Sequence, residues 1–142
     1  MTQVVIATHG YLADGLKKSF EFIMGEKNNL TAISAYTPDC PNFTYVYQEF
    51  IDDHVNEEII FITDIYGGSV NNELMQAMTD NNKIHLICGA NLPLLLQLFI
   101  NLDSLDIENT ITDAIKAGQE GVKHCQRIDV PNETSANDFD SF

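Results

Sequence analysis

Apolar residues recur along this chain in two rhythms. Val4-Val5-Ile6-Ala7 is an unbroken run that stops at Thr8-His9-Gly10, after which Leu12, Leu16, Phe20, Ile23 and Met24 fall three and four positions apart. The unbroken run predicts a strand covered on both faces, residues 3–8, and the wider spacing predicts a helix with one apolar face, ended by Gly25. The alternation then repeats. Residues 30–36 read as a second strand, stopped by Thr37-Pro38-Asp39-Cys40-Pro41, because proline lacks the N–H that regular structure needs. Phe43, Val46, Tyr47, Phe50 and Ile51 mark a second helix, with His54 near its end as a surface residue. Residues 58–63 form a third strand, and Val70, Leu74, Ala77 and Met78 mark a short helix broken at Asp80-Asn81-Asn82.

Residues 84–88 make a fourth strand with His85 inside it, where a hydrogen-bonded structural histidine is the expected role. Pro93 suits the first turn of a helix over residues 92–101, whose Leu94, Leu95, Leu98 and Phe99 are apolar nearly all round and belong in the core. A last helix carries Ile107, Ile111, Ala114, Ile115, Gly118, Val122 and Cys125, starting at Asp106 or Asn109, and residues 126–130 read as a short final strand. Strands alternating with helices predict an α/β fold, an open and mainly parallel sheet with helices on both faces. The 142 residues fit one domain over 1–130, followed by a tail, 131–142, that carries Glu133, Asp138 and Asp140 without a basic residue and is expected to be disordered.

Composition narrows the functional classes. A net charge of −14, from 21 acidic and 7 basic residues, argues against nucleic acid and anionic membranes and suits a basic protein partner. The longest apolar stretch, residues 92–100, is too short to span a bilayer, and no signal peptide is evident, so a soluble, cytoplasmic protein is expected. Cys40, Cys88 and Cys125 show no CxxC spacing and are expected to be free, buried thiols.

The chemistry gathers where strands stop. His9 ends the first strand and Asp64 the third, and in open α/β sheets ligands bind beyond the carboxyl ends of strands, where strand order reverses. A carboxylate beside an imidazole fixes its tautomer and leaves one ring nitrogen free as a nucleophile. Gly67-Gly68-Ser69 leads into a helix, and the backbone N–H groups of such a start, with the Ser69 hydroxyl, form an anion cradle. Together these groups suggest a histidine that carries a phosphoryl group. A metal site built from His9, Asp64 and His85 is the rival arrangement, but no HxH, HxxxH or CxxC spacing supports it.

Thr8-His9-Gly10, Thr63-Asp64-Ile65-Tyr66-Gly67-Gly68-Ser69 and Gly89-Ala90-Asn91-Leu92-Pro93 together resemble the IIA component of the mannose–fructose–sorbose class of the bacterial sugar phosphotransferase system, over residues 2–130. The resemblance implies four parallel strands in order 2-1-3-4 and a homodimer that exchanges its short last strand, here residues 126–130. It implies that His9 takes a phosphoryl group from the phosphocarrier HPr and passes it to a IIB partner, which serves a membrane IIC–IID permease. Asp64 would orient His9, Ser69 would hold the phosphoryl group, and Gly67 and Gly68 would supply backbone N–H groups. No metal, nucleotide or other cofactor is needed when the donor is already a phosphohistidine. Val70 stands where the family often has proline, and because the chain stops at Phe142, a IIA polypeptide separate from IIB is expected. The alternatives are a regulatory or anion-binding domain using the same crevice, and the related phosphotransferase subunit of a dihydroxyacetone kinase.

Overall fold

The computed structural model describes residues 1–104 and 106–127. Strands β1 (Gln3–His9), β2 (Leu30–Ala35), β3 (Ile59–Thr63) and β4 (Ile84–Cys88) alternate with helices α1 (Leu12–Met24), α2 (Phe43–Asp53), α3 (Ser69–Asp80) and α4 (Leu92–Asn101), and α5 (Ile107–Glu120) follows. The four strands form one parallel sheet in order β2-β1-β3-β4. The chain first steps from β1 to β2 on one side and then returns to β3 on the other. The order therefore reverses between β1 and β3, the place where open α/β sheets bind ligands beyond the carboxyl ends of their strands.

The apolar strand runs are shared between two layers by the period of two. Val4, Ile6, Ile60 and Ile62 pack with α1, α4 and α5 through Phe20, Leu94, Leu95, Leu98 and Ala114. Val5, Ala7, Ile59 and Phe61 point the other way, against Phe43 and Tyr47 of α2 and Val70 and Leu74 of α3. Helix α4 is apolar nearly all round because it lies beneath α5 as well as on the sheet, with Leu94, Leu95, Leu96 and Leu98 all buried. Asn91 caps α4 by accepting from the Leu94 N–H, and its amide donates to the Gly118 carbonyl of α5. A Cβ on Gly118 would lie 2.9 Å from the Leu94 Cβ, so glycine allows this close approach.

Four expectations are corrected. The second strand stops at Ala35, and Tyr36 turns out of it with φ of 63°. Leu12 is the first residue of α1 and is half exposed, while Ala13 takes the buried place. The last helix ends at Glu120, so Val122 and Cys125 lie outside it. Beyond Gly121 no surface among the described residues receives that apolar face, and packing is what holds a helix. Cys88 is exposed at the end of β4 and Cys125 is exposed too, so only Cys40 among the three free thiols is buried. Gln126 and Arg127 sit in a 3-10 turn, Cys125–Arg127, and the rest of the expected exchanged strand lies outside the described residues. No helix among the described residues is long and apolar enough to cross a membrane.

Candidate functional site

Strand register brings the two strand ends together. Ala7 and Thr63 are the last paired residues of β1 and β3, so His9 and Asp64 emerge side by side just beyond them. One carboxylate oxygen, Asp64 Oδ2, accepts both from the His9 backbone N–H and from His9 Nδ1, each at 2.9 Å. The other, Oδ1, accepts from the Ile65 N–H at 3.0 Å. Burial alone would raise the Asp64 pKa, but the His9 backbone and ring hydrogen bonds and the charge of the imidazole outweigh it and hold the carboxyl below its ordinary value. The Asp64 side chain is 9% exposed and that of His9 40%, so the carboxylate is sheltered while the imidazole remains accessible.

An ionised carboxylate can only accept, so Nδ1 carries the proton that it shares with Asp64. In the neutral ring, Nε2 is then the nitrogen with a free lone pair. Nε2 faces Ser69 Oγ at 3.3 Å. Ser69 is the first residue of α3, whose start has no side-chain cap, so its first N–H groups are open to an outside acceptor. Gly68 backs the ring closely, since a Cβ there would lie 3.2 Å from His9 Cε1. Gly67 turns the chain with φ of 80°, and its carbonyl accepts from Asn72 Nδ2.

Buried polar contacts hold these pieces in register. Thr8 Oγ1 accepts from the Ala13 N–H at 2.8 Å, fixing the start of α1 to the end of β1. Thr63 Oγ1 donates to Asn71 Oδ1 at 2.8 Å, which ties the start of α3 to the end of β3. The Ala90 N–H donates to the Thr63 carbonyl, so the segment after β4 braces β3, while Asn91 serves α4 and α5.

Of the residues expected from the sequence, His9, Asp64, Gly68 and Ser69 meet at one point, and Gly67 shapes the turn beside them. His85 is not part of that group. Its Nε2 pairs with Glu58 Oε2 at 2.6 Å, and it sits level with Ile60, far down the sheet from His9. Among the described residues no cluster of three or more His, Cys, Asp or Glu side chains is placed to hold a metal.

Tyr36 was not anticipated. Its hydroxyl lies 2.9 Å from Ser69 Oγ, and its ring centre lies 5.6 Å from that of His9. The signal was available: Tyr36 follows the end of β2, the strand beside β1, so the strand-end rule that selects His9 selects it as well. Tyr11, Leu12, Tyr36, Ile65 and Tyr66, all at or just past the ends of these strands, are exposed apolar side chains, Tyr66 by 75%.

A family model described as the PTS system fructose IIA component matches residues 3–115. The PTS system fructose-specific EIIA component of Bacillus subtilis is 25% identical over 144 residues, spanning 97% of this chain and 99% of that protein. The PTS system mannose-specific EIIAB component of Escherichia coli K12 is 28% identical over 124 residues, 84% of this chain but only 38% of that longer protein. A Klebsiella pneumoniae crystal structure named for a phosphoenolpyruvate-dependent sugar phosphotransferase system permease superposes with a TM-score of 0.82 at 31% identity, covering 89% of this chain and 92% of that one.

Proposed function

The chain belongs to the fructose IIA component family of the sugar phosphotransferase system, and from that membership we propose that it is a phosphocarrier whose phosphoryl group rides on Nε2 of His9. The donor is phospho-HPr and the acceptor a IIB component, which in turn serves a IIC–IID permease. The observation that carries the reading is the fixed imidazole: Nδ1 is tied to a part-buried carboxylate, while Nε2 is turned to a serine hydroxyl at an uncapped helix start.

In the transfer step the Nε2 lone pair forms a new N–P bond as the donor's N–P bond breaks. The donor imidazole takes back its electron pair. The Nδ1 proton stays shared with Asp64, whose negative charge offsets the positive charge that grows on the His9 ring. The phosphoryl oxygens meet the Ser69 hydroxyl and the open N–H groups of α3. No lysine or arginine lies in residues 8–10, 63–69 or 89–93. Neutral dipoles hold a phosphoryl group less tightly than a guanidinium fork, which suits a carrier that must release it. Transfer to IIB is the same step run with the roles exchanged.

The exposed apolar rim around His9 supports docking of both partners on this one face, with the net charge of −14 steering a basic partner towards it. The carrier is also proposed to act as a homodimer.

The test is intact mass after incubation with phosphoenolpyruvate, enzyme I and HPr, wild type beside His9→Ala. One acid-labile phosphoryl adduct on wild type, absent from the variant, is expected. No adduct on wild type with active HPr would overturn the proposal.

A further inference from the structure

We propose that Tyr36 is a positioning residue for phosphoryl transfer: its hydroxyl donates to Ser69 Oγ and so turns the single Ser69 proton towards His9 Nε2 and the group carried there. The inference rests on the phosphocarrier reading of His9 and adds a member to that site. It follows from counting protons along a line of hydrogen bonds. Asp64 accepts, so His9 Nδ1 donates. Nε2 of the neutral ring can then only accept, so Ser69 donates to it across 3.3 Å. A serine hydroxyl has one proton, and that proton is now committed. The 2.9 Å contact between Tyr36 and Ser69 is therefore donated by the tyrosine.

When Nε2 carries the phosphoryl group, its lone pair is gone. The Ser69 proton swings to a phosphoryl oxygen only a short distance away, and Tyr36 goes on donating to the same Oγ. A hydroxyl that accepts one hydrogen bond is a stronger donor of its own. Without Tyr36 the Ser69 hydroxyl is free to rotate, and part of its time is spent pointing away.

The backbone is shaped for this task. Tyr36 is the sole non-glycine residue with positive φ among the described residues, at 63°. A bulky side chain there is unfavourable, and such conformations collect at functional sites. The turn that imposes it is fixed by Thr37, whose Oγ1 donates to the Ser34 carbonyl and whose own carbonyl accepts from the Cys40 N–H. It carries the tyrosine from the end of β2 across β1 to the start of α3, with Phe43 beside the ring.

The experiment is the phosphoryl exchange equilibrium with phospho-HPr, measured by ³¹P NMR for wild type, Tyr36→Phe, Ser69→Ala and the double variant. Phenylalanine keeps the ring and removes only the hydroxyl, and thermal melts check that each variant is folded. Tyr36 donates to Ser69 in both states, so the equilibrium reads only the extra strength it lends to a Ser69 bond to a charged phosphoryl oxygen over one to the neutral ring. Tyr36→Phe is therefore expected to lower the equilibrium constant for phosphorylation about threefold. It is also expected to move the phosphohistidine resonance towards that of Ser69→Ala. In the Ser69→Ala background, Tyr36→Phe should have no further effect, because no hydroxyl is left to orient. An unchanged equilibrium and resonance in Tyr36→Phe would overturn the proposal, as would single effects that simply multiply in the double variant. A wild-type protein that takes no phosphoryl group would instead overturn the phosphocarrier reading, and this inference with it.

Discussion

Gly67 and Gly68 stand side by side yet are glycine for different reasons, and alanine at each should do opposite things. At Gly68 the backbone, φ −72° and ψ 165°, suits any residue. The cost is in space. The new methyl would lie 3.2 Å from His9 Cε1, 3.5 Å from the Ile65 carbonyl oxygen and 3.8 Å from Ile65 Cβ. Carbon atoms in contact prefer about 3.5–4.0 Å, so the imidazole must retreat by a few tenths of an ångström. The His9 side chain is 40% exposed, which leaves it some freedom to shift. The move is resisted by the 2.9 Å bond to Asp64 and strains the 3.3 Å contact to Ser69, which is already long. Removing a glycine from a compatible position stabilises by about 0.4–1 kcal/mol through the unfolded chain. Gly68→Ala is therefore expected to melt no lower than wild type while its rate of phosphoryl acceptance falls about tenfold, in line with the sensitivity of such steps to misplacement. Gly67→Ala is the converse. Its φ is 80° and its surroundings are open, so it should lose about 1 kcal/mol, a few degrees in Tm, through backbone strain. The assays are thermal denaturation and rapid-quench phosphorylation by phospho-HPr. A Gly68→Ala protein with a wild-type rate, or one that melts several degrees lower, would show that the methyl does not press on the His9 ring in this way.

Two further outcomes follow from the same geometry. Asp64→Asn should slow phosphorylation roughly a hundredfold or more, because an amide no longer selects the Nδ1 tautomer. Its stability should also depend less on acid. The folded Asp64 carboxyl titrates below its ordinary value of 3.8, so its contribution is full above about pH 4 and is lost as pH falls through the folded value. Denaturant titrations should therefore show the gap between wild type and Asn variant closing on acidification. Asn91→Ala removes the α4 cap and the bridge to Gly118 together, and should cost about 1–2 kcal/mol in urea unfolding while leaving phosphorylation intact.

The sequence was most legible where one physical cause acts alone. Runs such as Val4-Val5-Ile6-Ala7 and Ile59-Ile60-Phe61-Ile62 have to lie in a sheet covered on both faces, and they do. His9 and Asp64 stand where apolar runs stop, so a parallel register suffices to bring them together. The place of Tyr36 at a strand end was legible, but its turned backbone was not, because its alternating neighbours read as strand up to residue 36, whereas its φ belongs to a turn closed by the Thr37 and Cys40 contacts. Val122 and Cys125 kept the helical spacing of α5 but had nothing to pack on among the described residues, and spacing alone does not reveal what it faces. His85 went the other way. Its place inside a strand marked it as structural, and the Glu58 partner supplies the reason.

The mechanism stands or falls on which ring nitrogen of His9 carries the phosphoryl group. Protein labelled with ¹⁵N-histidine, phosphorylated through HPr, can be read by two-dimensional NMR of the His9 ring. With Asp64 holding Nδ1, phosphorus should be found on Nε2 and the Nδ1 proton should remain bound and protected. A phosphoryl group on Nδ1, the nitrogen that faces Asp64 at 2.9 Å, would contradict the geometry from which the mechanism is built.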